Sequence, residues 1–122
     1  MYGFSLEEAG RRALIVPDDM FGWEPSEDVQ GADLAVIPMG IVEFDPITGE
    51  RRIHQDHPVL RSEATFRQTL EFVPRLGAAR VIMTHIEEPD GLSYDDLLLL
   101  SQRLQDQGLP ITFAYDRRII DV

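Results

Sequence analysis

An α/β fold with a mixed sheet and two main helices is the class this sequence predicts, and three observations predict it. Two apolar runs, Leu34-Ala35-Val36-Ile37 and Val81-Ile82-Met83-Thr84, are continuous rather than alternating, as in strands covered on both faces of a parallel sheet. Amphipathic segments with capping residues at their starts and glycines at their ends follow each of them. The first two short runs are too close together for a crossover, so they form a hairpin and make the sheet mixed.

Residues 2–6 and 12–16 are the arms of that hairpin, joined by Glu7-Glu8-Ala9-Gly10, where Gly10 can take a positive φ. The second arm stops at Pro17, which has no amide to give a ladder, and Asp18-Asp19 follow at its carboxyl end. An aromatic loop holds Trp23, as a core plug or a pocket cover, and Ser26-Glu27-Asp28 caps a brief helical turn. Residues 33–39 form the central strand. A long aperiodic excursion, 41–60, carries the turn Asp45-Pro46-Ile47-Thr48-Gly49-Glu50 and then His54-Gln55-Asp56-His57-Pro58; stretches of this length are more often functional than idle.

The first helix runs from Ser62 as N-cap to Leu76, with Phe66, Leu70 and Val73 on one face, Pro74 weakening its last turn and Gly77 stopping it. The strand 80–84 ends at His85, with Glu87 and Glu88 beyond. Ser93-Tyr94-Asp95-Asp96 is a capping box opening the second helix, whose Leu97, Leu100 and Leu104 share a face and which ends at Gly108. Residues 111–115 and 118–122 are two closing strands about a turn at Asp116-Arg117. Strand-helix-strand alternation of this kind builds a parallel sheet through crossovers of one hand.

The length, 122 residues, supports a single domain over residues 1–122, and 43% apolar with 27% charged residues is ordinary globular usage. A net charge of -11, with no lysine, opposes nucleic acid and anionic membranes as partners. The absence of cysteine excludes disulfides, thiolate metal sites and cysteine nucleophiles, leaving His and carboxylates as candidate ligands. No run reaches the roughly 20 apolar residues of a membrane span, and the N-terminus lacks the pattern of a signal peptide, so a cytoplasmic location is expected.

Three groups are candidates to meet at one edge of the sheet: Asp18 or Asp19, the loop holding His54 and His57, and His85 with Glu87 and Glu88. Imidazole and carboxylate together suit a divalent metal, while a histidine beside acids is also an ordinary salt-bridged structural group. His54 and His57 need a turn between them to serve one ion, since an extended chain would point them apart. Asp95 and Asp96 belong to the second helix's first turn and complement its dipole. Glycine fingerprints of nucleotide sites and a nucleophile elbow are missing, which removes NTPase, dinucleotide and serine-hydrolase readings.

The run Leu76-Gly77-Ala78-Ala79-Arg80-Val81-Ile82-Met83-Thr84-His85, together with Ala13-Leu14-Ile15-Val16-Pro17-Asp18, Gly31-Ala32-Asp33-Leu34-Ala35-Val36, His57-Pro58 and Phe113-Ala114-Tyr115-Asp116, resembles the second half of metallo-β-lactamase-fold hydrolases, in particular their phosphodiesterase-like members. The resemblance implies half of an αββα sandwich. It implies that Asp18 corresponds to the metal-bridging carboxylate, His85 to the last histidine ligand, and His57 to a substrate-side histidine, with zinc or manganese as cofactor. The activity implied is hydrolysis of a phosphodiester or similar small-molecule ester by metal-bound hydroxide. The family's H-x-H-x-D-H segment is absent, so no catalytic residue is assigned here and activity requires an N-terminal half. Such a half, or self-association, would bury the broad apolar sheet face that its absence leaves open. The alternative is a non-catalytic interaction or oligomerisation module that keeps the half-fold.

Overall fold

The computed structural model of the chain describes residues 4–16, 30–84, 86 and 92–114, without the side chain of Phe4. Five strands form one sheet in the order β1-β2-β3-β4-β5: β1 (Phe4–Glu8), β2 (Arg11–Ile15), β3 (Leu34–Pro38), β4 (Arg80–Thr84) and β5 (Ile111–Phe113). β1 is antiparallel to β2, and β2 through β5 are mutually parallel. The molecule is thus α/β with a mixed sheet and two helices, and β3 is its middle strand.

The hairpin turn is tighter than the sequence suggests. Glu7 and Glu8 stay in β1 opposite Arg12 and Arg11, a pairing of opposite charges that favours extending the ladder. Only Ala9 and Gly10 turn, at φ 53° and 79°. Two successive left-handed residues give the turn whose twist matches that of a hairpin.

Helix α1 (Phe66–Leu76) begins three residues later than a cap at Ser62 implies. Its N-cap is Thr65, which accepts the Gln68 amide on its hydroxyl at 3.2 Å and gives its own amide to the Gln68 side chain at 2.9 Å. Two orphan amides satisfied reciprocally outweigh the single hydroxyl of Ser62, which instead donates to Val59 O at the end of a short 3-10 turn, Pro58–Arg61. The helix runs through Pro74 and ends at Gly77, in the left-handed conformation. Helix α2 (Tyr94–Asp106) opens with the capping box expected, Ser93 and Asp96 exchanging bonds of 3.1 and 3.0 Å. Ser101, buried on its inner face, ties it to β5 by donating to Ile111 O at 2.7 Å.

The crossovers through α1 and α2 each step one strand in the same direction, and both helices lie on one face. Phe66, Val73 and Leu76 of α1 and Leu100 and Leu104 of α2 share a core with Ala35, Ile37, Val81, Met83, Ile111 and Phe113. The opposite face carries Ala13, Leu34 and Ile82. Its centre is not the open apolar surface expected of a missing half, because Leu34 and Ile82 are 4% and 1% exposed against the atoms of this one chain. Among the described residues the most exposed large apolar side chains are Leu6, Tyr94, Leu98 and Leu99, and of these only Leu6 lies on that face. Of the two closing strands expected, the first is β5; residues 115–122, like the segment 17–29 with its Trp23 and capped turn, lie outside the described residues. No helix among the described residues is long and apolar enough to cross a membrane.

Candidate functional site

The carboxyl ends of β2, β3 and β4 lie along one edge. The register sets Ile15 level with Val36 and Pro38 level with Thr84, so β3 and β4 end together and β2 stops two residues short of them. Pairing continues past the strands proper, with Val16 N donating to Val36 O at 2.8 Å and Met39 N to Thr84 O at 2.9 Å. Beyond Val16 the sequence continues to Asp18, and beyond Thr84 comes His85. Asp18, Asp19, His85, Glu87 and Glu88 lie outside the described residues.

The excursion after β3 is the described structure at this edge. It leaves over Gly40, at φ 89°, and returns beside its own start, Ile41 N donating to Ala64 O and Phe66 N to Ile41 O, both at 2.8 Å. Any side chain at Gly40 would meet Ala64 O and Thr69 Oγ1 at 2.8 Å, so this crossing needs glycine on two counts.

Inside the excursion a small hairpin pairs Phe44 with Arg51 around the turn at 45–50. Asp45, 6% exposed, is its hub. One oxygen accepts the amides of Ile47 and Thr48 at 2.8 and 3.0 Å, and the other accepts Nε and Nη2 of Arg52 at 3.1 and 2.6 Å. The Thr48 amide foremost, then the Arg52 side chain, hold its carboxyl down at about 2, against the opposing effect of burial. Arg51 pairs with Glu43 at 2.8 Å, and the guanidiniums of Arg51 and Arg67 lie 4.3 and 4.0 Å from the centre of the Phe44 ring.

The two described histidines do share a turn. His57 N donates to His54 O at 2.9 Å. Each ring, however, turns one nitrogen back on its own loop: His54 Nδ1 accepts the Asp56 amide and His57 Nδ1 the Val59 amide, both at 3.1 Å. His57 is the N-cap of the 3-10 turn, exposed to solvent, with Nε2 left to meet a ligand. Among the described residues no three His, Asp or Glu side chains gather in a way that could hold a metal ion. Asp96 binds the Ser93 amide, the capping role its position predicts.

The cluster of Phe44, Asp45, Arg52 and Arg67 was not marked out by the sequence beyond its turn. Its only local signal is an Asp followed two and three residues on by amides it can accept, and the arginines come from separate segments. Compared with known proteins, the chain matches no family model, no curated protein and no solved structure.

Proposed function

We propose that the carboxyl edge of β2, β3 and β4 is the working edge, and that the chain is the C-terminal portion of a metal-dependent hydrolase of the metallo-β-lactamase type, acting on phosphodiesters or similar esters together with an N-terminal half. One observation supports this reading: β2 and β4, parallel and flanking β3, run toward the same edge on strands roughly 10 Å apart, and in the sequence Asp18 follows β2 and His85 follows β4. Ligands of open parallel sheets bind beyond such carboxyl ends.

Asp18 and His85 would hold a divalent cation, zinc or manganese, whose contribution when bound is Lewis-acid polarisation of the ester. The resemblance supplies these two ligands and no third, so on this reading the chain contributes part of a set that an open zinc site completes with three. His57 sits in the excursion that starts and ends at this edge, with Nε2 the atom available to substrate. A second reading, a non-catalytic interaction module, draws support from His54 and His57, whose Nδ1 atoms serve backbone amides as surface-loop histidines do.

Calorimetric titration with zinc separates the two. A partial site gives weak binding of about one ion per chain, lost equally in Asp18→Asn and His85→Ala and kept in His54→Ala. Binding that survives both of the first two substitutions, or no binding by the unaltered chain, removes the hydrolase reading.

A further inference from the structure

A second feature, independent of the strand edge, lies between the turn at 44–49 and the two helices: a cleft of about 350 Å³. Phe66, Leu70, Leu100 and Leu104 form its apolar wall, and Arg67, Arg103 and Gln107 its polar rim. The volume is in the range of sites for small organic ligands.

We infer that this cleft binds a small amphiphilic carboxylate, its carbon body against the leucines and its head on Arg67 and Arg103. Charge carries the argument. The one carboxylate that lines the cleft, Asp45, has both oxygens committed to Arg52 and to the Ile47 and Thr48 amides, so it does not neutralise the rim. Among the described residues neither Arg67 nor Arg103 forms an ion pair. This is an unneutralised pair in a chain whose acids outnumber its basic residues 22 to 11. Stacking on Phe44 at 4.0 Å orients the Arg67 guanidinium without consuming its N–H donors.

The rim thus offers donors and no uncommitted side-chain acceptor except the Gln107 carbonyl, a preference for anions. The wall selects among them. A fully hydrated ion such as phosphate gains nothing from Phe66 and the leucines, whereas a monocarboxylate with an apolar body satisfies both halves of the cleft.

The test is titration of the purified chain with octanoate, followed by calorimetry and by two-dimensional NMR, beside octanol and inorganic phosphate. Octanoate is expected to bind saturably with shifts confined to α1, α2 and residues 44–49. Arg67→Gln and Arg103→Gln, both at exposed positions that leave the core intact, should each weaken it by about fivefold or more. Equal binding of octanol, unchanged binding in both variants, phosphate competing with octanoate at equal concentration, or shifts lying elsewhere would each overturn the proposal.

Discussion

Two nitrogens of the Arg52 side chain converge on a single oxygen of Asp45, at 3.1 and 2.6 Å, while the other oxygen of that carboxylate is held by two backbone amides. The arrangement pins a loop that has almost no regular structure of its own. Asp45→Ala should therefore cost about 2–3 kcal/mol, since it strands two amides and a guanidinium at once. The carboxyl is lowered from 3.8 to about 2 in the folded chain, so its stabilisation is fully present above pH 5 and is lost as pH falls toward 2. The difference amounts to about 2 kcal/mol. Urea melts of the unaltered chain between pH 6 and pH 2 should show this loss, and Asp45→Asn should flatten that part of the profile; parallel profiles would show that the hub does not couple to folding.

Gly40 makes the opposite kind of prediction, one of shape rather than charge. A methyl group there is blocked by the Ala64 carbonyl and the Thr69 hydroxyl, and the backbone is left-handed besides. Gly40→Ala should lose about 2–4 kcal/mol, because neither backbone nor a fully buried threonine can yield cheaply. Thermal melts read the change; a loss under 1 kcal/mol would mean that the excursion can lift away from α1.

Ala9 carries a strain that can be relieved. It stands at φ 53°, first of the two turn residues joining β1 and β2, where a Cβ crowds the following carbonyl. Ala9→Asn supplies the residue this turn prefers ahead of glycine and should stabilise the chain by about 0.5–1 kcal/mol. Gly10→Ala should do the reverse by a similar amount. If Ala9→Asn leaves the urea midpoint unchanged, the hairpin opens before the rest of the domain and reports nothing about it.

Much of the fold was legible because its signals are local. The strand at Arg80–Thr84 and the capping box at Ser93 and Asp96 stand where spacing put them, and Gly77 ends α1 as its lack of a side chain predicts. Ser62 misled because a serine ahead of an apolar period is a common cap, yet Thr65 with Gln68 three residues on forms a box and wins. The buried centre of the second face was illegible for a different reason. Periodicity says which side chains leave a strand together, as Leu34 and Ile82 do, and says nothing about how deeply they are buried. The cleft was hidden for the same reason, since Arg67 and Arg103 stand 36 positions apart in sequence and meet only through the packing of two helices around one loop.

His57 offers the sharpest separation of a structural role from a functional one. Its Nδ1 caps the 3-10 turn through the Val59 amide, a task that an asparagine carbonyl can perform and an alanine cannot. Its Nε2 points away from that bond, and imidazole alone supplies it. His57→Ala should then lower stability by up to about 1 kcal/mol, while His57→Asn should restore most of that loss. If the histidine also meets an ester substrate at the strand edge, a generic phosphodiester assayed with zinc, in the presence of whatever half-domain confers activity, should be turned over poorly by both variants despite the repaired stability. Full turnover by His57→Asn would confine His57 to its cap, and would leave substrate contact at this edge to other residues.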